Sequence, residues 1–591
     1  MEGPLARTVV ARTRLARCWG LGDRKSPSAL TPAIITSPHD VELPVSYAPF
    51  ASSTSDTLPS TLSVEARGAF VPPAFDALGP SYTVNIGHVL PPSLEEANAG
   101  EAQGTGALLP VSWQRMHHDE GLMEDSLAPE IVVLTDAPQL AGQPGKLAQA
   151  LLTLKQRFPG ALIWAPGLAG PDNMAVLTLM GVDLFDMARA HEAAARNVLL
   201  TATGPRWPLS HESTTVEHQA YHWLKALDEV RAAVQQGTLN TLAERQSLSS
   251  PRLVEHLRHH HRAVSLSHGM LASHMDGGTA FPCYSNTMLH DPLVTDWERF
   301  MNNEYLAPEA TTTVMVLLPC SARKPYRLSR SHDRFLYAMR SSACHEVMMT
   351  SPLGLVPRDL EDVWPASHYD VPVTGEWTLD ELDRVRRMLV SLVGRVGYAC
   401  IINHTDFDLS FLDVDVIDTR QGRGATHHDA LQSLSTAVKE AVDKYGLRNQ
   451  RNNLRLKAKF KSIARKLTRN DAWLDPLSVK GKLPRWRLEL NGQQLAVWSI
   501  DRNGFSFSRA AIDHLHEHDA LHRVVLVEGV EWRGDVFASM VASHEPTIRR
   551  GDDLLVMQAG EAVGLARAVC PGWEWGTTVG TLAKSHQRRK K

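Results

Sequence analysis

The stretch that decides the fold is "TVMVLLPCSARKPYRLSRSH", Thr313–His332. "TVMVLLP" is apolar, rich in branched side chains and short, which is the pattern of a buried strand. "CSARKPYRLSR" reads as the loop that leaves it. "SHDRFLYAMRSSA" reads as a helix with Ser331 as its N-cap. Three further strand-like runs, "EVMMTSP", "YACIINH" and "DVDVIDT", follow between about 300 and 445. Strands separated by helical stretches predict a parallel sheet with crossover helices. In such open sheets ligands collect where loops leave the carboxyl ends of the strands. The loop at that address carries Cys320, Ser321, Lys324, Tyr326, Ser329, Ser331 and His332. The next strand exit, Thr350–Trp377, adds Ser351, Gly354 and Arg358, with Glu361, His368, Tyr369 and Asp370 behind them. Helix capping alone does not account for so many reactive groups in one turn.

Working outward, the same alternation recurs upstream. "EIVVLTDAP", "GKLAQALLTLKQRF", "ALIWAPG" and "PDNMAVLTLMG" read as strand, helix, strand, helix between Glu130 and Gly181. Tyr221–Gln236 predicts one long helix with Leu224, Leu227 and Val234 on one face. Residues 30–110, rich in Pro, Ser, Thr and Gly, predict strands joined by long loops. The Arg-rich opening "MEGPLARTVVARTRLARCWG" imitates a transit peptide in composition, but the alternation before "TPAIITSP" favours a first strand pair. Downstream, Leu456, Phe460, Ile463 and Leu467 form the apolar stripe of a helix. Lys457, Lys459, Lys461, Arg465 and Lys466 cover the rest of it.

Length and composition bound the function. With 591 residues, 43% apolar and 21% charged, this is a multidomain chain of soluble type. No run of eighteen apolar residues predicts a membrane span. The net charge of −4 conceals an asymmetry. Lys444–Arg487 holds fourteen Lys or Arg against two acids, and the last eight residues add five more cations. That layout fits a C-terminal part that holds nucleic acid. Six scattered cysteines with no CxxC pair argue against a disulfide framework or a Cys-rich zinc site, and point to a reducing cytoplasm. His256 and His260, one helical turn apart with His259 and His261 beside them, lack a third ligand. They are expected to be surface histidines, so no metal and no cofactor is expected.

Three resemblances follow from quoted motifs. The stretch from "VVLVEG" through "GDVFASMV", "IRRGDDLLVM", "AVGLARA" and "GTTVGTLAKSH" resembles a PUA domain, a small pseudo-barrel of RNA-modifying enzymes. Arg549, Arg550, Lys584 and His586 there, with Lys459 and Arg465 on the basic helix, are the expected RNA contacts. "MGVDLFDMARA" (Met180–Ala190) resembles the later part of the tRNA-guanine transglycosylase barrel, in which the nucleophile would fall on Asp183. The zinc cysteines of that family are missing, so the front reads as a barrel that kept its shape and lost its chemistry. Asp183 there either touches substrate or braces a strand end. Finally, "LLPCSARKPYRLSRSH" with "TSPLGLVPRDLE" and "YDVPVTGEW" resembles the archaeosine synthase family, and every fixed residue of its PCSxxKPYxxSxSH motif is present.

That resemblance implies a tRNA-modifying transferase acting on 7-cyano-7-deazaguanine at nucleotide 15 of the D loop. An amine donor, lysine or a glutamine-derived nitrogen, adds to the nitrile. A radical-SAM lyase partner and a homodimer are further possibilities that it raises. A nitrile needs a good nucleophile and a proton for its nitrogen, with a base poised near neutrality. His332 or Lys324 is the expected base, and Tyr326 or Lys324 the expected proton donor. Ser321, Ser329, Ser331, Ser351, Gly354 and Arg358 are the expected holders of base or donor. Cys320 admits a covalent thioimide. The alternatives are base exchange through Asp183 and a non-catalytic tRNA scaffold. The expected organisation is a transglycosylase-like, TIM-barrel-like domain at 1–290 and the motif-bearing α/β domain at 300–445. A basic α+β segment at 446–518 and a PUA pseudo-barrel at 520–591 complete it.

Overall fold

The computed structural model describes residues 5–54, 61–67, 81–85, 107–123, 127–267, 269–274, 280–373, 375–482, 484–576 and 580–589. Much of the expected loop-and-strand region 30–110, Thr577–Val579 of the C-terminal glycine-rich stretch, and Lys590 and Lys591 of the basic tail lie outside them. The architecture is mixed α/β with several sheets. The chain divides into two compact units. One comprises Met1–Met270 with Trp573–Leu582, the other Leu271–Gly572 with Ala583–Lys591.

In the first unit the predicted opening strand pair is present. β1 (Arg7–Thr13) runs antiparallel to β2 (Ala16–Gly22), with β3 (Pro27–Leu30) beside it. The main sheet adds β4 (Ala33–Thr36), β5 (Phe50–Thr54), β6 (Thr61–Ala66), β7 (Ser81–Asn85), β8 (Leu108–Val111), β9 (Ile131–Leu134), β10 (Leu162–Trp164) and β11 (Leu184–Phe185). Its order is β7-β6-β5-β4-β11-β10-β9-β8. Six neighbours, β8, β9, β10, β11, β4 and β5, run parallel, while β6 and β7 pair antiparallel at the edge. β9 and β10 are wholly buried, as strands covered on both faces must be. On one face the cover comes from α1 (Lys146–Arg157), α2 (Met174–Leu179) and α3 (Val216–Gln236), which share a core with Val132 and Ile163. On the other, Trp19 and Leu21 of β2 and Ala29 of β3 pack with Ile131, Val133, Leu162 and Trp164. α3 begins five residues before the expected start because the Thr215 hydroxyl caps it by accepting from His218 N. α4 (Pro251–Leu266) buries His256 and His260, at 3% and 2% exposure. They are therefore packing residues of an amphipathic helix and not the expected surface histidines.

The second unit centres on a five-stranded sheet. β12 (Val314–Pro319) is the predicted opening strand, followed by α5 (Arg330–Met339), β13 (His345–Thr350), β14 (Gly354–Pro357), α6 (Leu379–Val396), β15 (Cys400–Asn403), β16 (Asp415–Asp418) and α7 (His428–Lys444). The order is β14-β13-β12-β15-β16, with β13, β12, β15 and β16 parallel and β14 antiparallel. β12 lies in the middle, so its carboxyl end opens between two parallel neighbours. α8 (Asn452–Leu467) buries Phe460 and Ile463 against a four-stranded antiparallel sheet. That sheet is β17 (Ser478–Lys482), β18 (Arg485–Leu490), β19 (Gln493–Ser499) and β20 (Gly504–Phe507). Phe460 meets Trp486 and Trp498 edge-on, with ring centroids 5.8 and 6.0 Å apart. A six-stranded sheet from β21 (His522–Leu526), β22 (Val536–Phe537), β23 (Val541–His544), β24 (Asp553–Gln558), β25 (Glu561–Ala568) and β26 (Thr581–Arg588) ends the chain.

Candidate active site

Pro319 ends β12, and the loop after it climbs over the carboxyl ends of β12 and β13. Tyr326 drops back into the core and is fully buried. Its hydroxyl bonds the Thr350 hydroxyl at 3.0 Å and the Tyr369 hydroxyl. Tyr369 closes the triangle, 2.5 Å from Thr350. Three hydroxyls from three chain segments thus share protons where β13 ends. The Lys324 ammonium stands over the Tyr369 ring, 4.1 Å from its centroid. The Cys320 sulfur is hydrogen-bonded by Thr350 and feels the charge of Lys324. Cys320 is exposed, whereas the other five cysteines are buried.

The electrostatics of this cluster have clear causes. Protein packed around the Cys320 sulfur pushes the thiol up from its ordinary value, although Thr350 and Lys324 pull the other way. Burial pushes the Lys324 amine down, opposed by Cys320 and Asp370. The pair is thereby biased toward a neutral thiol beside a neutral amine, a proton donor next to a proton acceptor. Burial drives both Tyr326 and Tyr369 up, so these phenols stay protonated.

Other expected residues sit elsewhere. His332 is fully buried, and its ring lies 5.2 Å from that of Tyr326. Its Nδ1 accepts from Arg358 Nη2 at 3.0 Å, which leaves the proton on Nε2, toward the Pro319 carbonyl. Burial, with Arg358 beside it, lowers its pKa to about 3. His332 is therefore a bracing imidazole and is not poised as a base near neutrality. Arg358 is committed too: Nε donates to Glu346 at 2.8 Å and Nη1 to Glu361 at 3.1 Å, so no guanidinium edge awaits a donor carboxylate. Ser329, not Ser331, caps α5; it accepts from His332 N at 3.3 Å and touches Ser331 at 3.1 Å. Ser321 donates to the Arg323 carbonyl, and Ser351 donates to Glu381. Gly354 has φ +75, and a Cβ there would strike the Met388 sulfur at 2.4 Å, so its smallness serves packing.

Asp183 is 1% exposed and ion-paired with buried Lys155, and it accepts from Ile163 N at 2.9 Å. It ties β10 to β11 and is not reachable by a nucleoside. The expected RNA contacts divide. Lys459 pairs with Asp362, and Arg465 with Asp471 at 2.8 Å. Lys461 and Lys466 likewise meet Asp475 and Asp296, so the cations of α8 are largely spent inside the unit. Arg549 donates to Asp552, and the Arg550 carbonyl accepts from Ser273 N. Lys584 and His586 are exposed, and His586 lines an open cavity of about 1090 Å³ with Arg588 and Arg589.

Fold and site together define a multidomain α/β protein whose reactive groups gather at the carboxyl ends of a parallel sheet. Residues 294–438 of the chain, which contain that sheet and its motif loop, match a family described as a domain of unknown function (DUF5591). The chain is similar to the archaeosine synthases. It is 28% identical to the archaeosine synthase subunit alpha of Methanosarcina acetivorans over 80% of each chain. It is 27% identical to the archaeosine synthase of Haloferax volcanii over 76% of this chain and 80% of that one. Among solved structures, a conserved PUA domain protein from Thermoplasma acidophilum covers 23% of this chain and 91% of its own, at 16% identity and a TM-score of 0.18. No helix among the described residues is long and apolar enough to cross a membrane.

Proposed function

We propose that this chain is a tRNA-modifying transferase of archaeosine biosynthesis. It adds an amine donor to the nitrile of 7-cyano-7-deazaguanine at nucleotide 15 in the D loop. The observation that carries the proposal is the gathering of Cys320, Lys324, Thr350, Tyr326 and Tyr369 at one strand end, with Cys320 the exposed thiol. The names of the relatives support the pathway.

In this reading the Cys320 sulfur attacks the nitrile carbon. Lys324 takes the thiol proton as the carbon–sulfur bond forms and delivers it to the nitrile nitrogen, giving a thioimide. The donor amine then attacks the same carbon. The carbon–sulfur bond breaks, and the amine's proton returns to sulfur through Lys324, leaving the amidine and a free thiol. The hydroxyl triangle of Tyr326, Thr350 and Tyr369 orients the sulfur and holds its hydrogen bond. His332, Arg358, Glu346 and Glu361 brace the loop from beneath. The D-loop base must leave the tRNA core to reach this point. The C-terminal sheet, with Lys584 and His586, serves as the PUA-like grip on phosphates. The donor is lysine or a glutamine nitrogen. The word "alpha" in the name of the Methanosarcina relative supports a second subunit, for which a lyase that cleaves the adduct is our assignment.

The test mixes purified protein, nitrile-bearing tRNA and either lysine or glutamine, and reads the nucleoside mass. A gain equal to the donor, or to ammonia, supports transfer. Incorporation of labelled free base would establish base exchange instead, and inert protein that binds tRNA tightly would establish a scaffold.

A further inference from the structure

Four of the six cations of α8 are ion-paired, and Arg455 and Lys457 are hydrogen-bonded to Asn452 and the Asp475 carbonyl, so the electrostatic grip on RNA is sought elsewhere in the basic segment. The hairpin β17–β18 turns Val479, Trp486 and Leu488 inward and Lys480, Lys482, Arg485 and Arg487 outward. The register sets Lys480 directly opposite Arg487 and Lys482 directly opposite Arg485. Like charges facing each other across an antiparallel pair are destabilising. Glu489, the single acid within the four strands of this sheet, answers one end of the array, 2.7 Å from Lys480 and 3.7 Å from Arg487. Asp501 lies in the turn beyond, between β19 and β20. Among the described residues, Lys482 and Arg485 at the other end have no carboxylate within ion-pair distance. The neighbours of Arg485 and Arg487 on β19 are the neutral Ser499 and Val497. On β20, opposite Val497, stands Ser506, which the Arg502 guanidinium bonds, bringing a fifth cation to the same face.

We infer that the outer face of this hairpin is a phosphate-binding ribbon, with Lys482 and Arg485 as its central contacts and the backbone of the tRNA substrate as its partner. This rests on the tRNA reading above. The four charges have a built platform, because Trp486 packs edge-on against Phe460 of α8 and the strands cannot splay to relieve the repulsion. Two residues along a strand are about 7 Å apart, so the cation pairs stand close to the spacing of consecutive phosphates on one strand. Each contact releases counterions from the RNA. A folded RNA fits this surface better than an anionic membrane. No large apolar side chain of the four strands is exposed, whereas interfacial membrane binding needs an apolar face.

The experiment measures binding of nitrile-bearing tRNA to full-length wild type and to K482E/R485E across a salt series, with K482Q/R485Q as a milder pair. Thermal melting of the variants checks the fold. The expected result is tRNA affinity reduced tenfold or more at low salt, with the slope of log affinity against log salt smaller by roughly 1.4–1.8 in the neutral pair. Unchanged affinity and slope in folded variants, while wild type binds, overturn the ribbon and leave the tRNA reading standing. Failure of wild type to bind tRNA under any condition overturns both. Wild-type binding to phosphatidylserine vesicles that the variants lose, with tRNA binding unaffected, overturns RNA as the partner.

Discussion

The ammonium of Lys324 sits 4.1 Å above the centre of the Tyr369 ring, held there from a loop 45 residues away in sequence. A cation on an aromatic face is partly desolvated, and this one has a thiol for its other neighbour. Lys324→Ala and Cys320→Ser should each lower turnover by about 10²–10⁴, the usual size of a lost proton-transfer or nucleophilic group, while tRNA affinity stays near wild type. Single-turnover rates and filter binding on the same samples check this. Lost affinity with retained turnover would refute the roles. The pH profile follows from the sign of the shift. Only the neutral amine accepts the thiol proton, so the rate should climb as pH rises through the lowered Lys324 pKa, then level, with a midpoint below the 10.5 of free lysine.

Tyr369→Phe keeps the ring beneath Lys324 but removes one corner of the hydroxyl triangle. Thr350 and Tyr326 would retain their mutual bond, so a loss of about 1 kcal/mol of stability is expected. The rate should fall further than that if the triangle orients Cys320 through Thr350. Tyr369→Leu also removes the cation–ring contact, and Lys324 should then titrate differently. The two pH profiles separate the effects: Phe should shift the plateau and Leu the midpoint.

The parallel sheet was legible because three of its four parallel strands, β12, β13 and β15, are short and largely apolar, and a run of that length and branching suits little besides an inner strand. β16, with acids at both ends and every residue exposed, is the edge strand. The helix cap slipped by two residues because Ser329 and Ser331 are equally good caps, and only the backbone turn after Leu328 selects between them. Thr350 was passed over and Tyr369 not singled out. Their partner Tyr326 is 24 and 43 residues away, and no local pattern announces a contact at that distance. The misreading of α8 has the same root. Lys459 and Lys466 meet Asp362 and Asp296, which lie 97 and 170 residues earlier, so composition displayed the cations without their partners. His332 looked like a base because the motif contains an imidazole. Its burial under Arg358 is a tertiary fact.

Buried neutral histidines predict acid lability. His345 is fully enclosed between the Tyr305 and Tyr398 hydroxyls, and burial lowers its pKa to about 4, as it lowers His332 to about 3. Both values lie below the ordinary 6.5, so the unfolded chain takes up these protons first as pH falls. The stabilisation is complete above pH 6.5 and drains away between 6.5 and about 4 for His345, on the order of 3 kcal/mol. Urea unfolding at pH 7 and pH 5 should show wild type losing stability that His345→Gln, already weaker at pH 7, does not lose. Equal losses in both would remove His345 from the account.

Asp183 supplies the sharpest contrast between sequence likeness and structure. Burial pushes its carboxyl up and the Lys155 amine down, each held back by the other. Removing one partner of such a pair strands the other and costs about 3–5 kcal/mol. Asp183→Ala should therefore lower the melting temperature of the first unit by several degrees at least. Asp183→Asn, which keeps the shape and one acceptor oxygen for Ile163 N, should lose less. Neither should change the rate of amine transfer per folded molecule, because the carboxylate touches no solvent and serves the junction of β10 and β11. Calorimetry alongside single-turnover transfer makes the distinction. A variant that melts like wild type but has lost amine transfer would return Asp183 to the reaction.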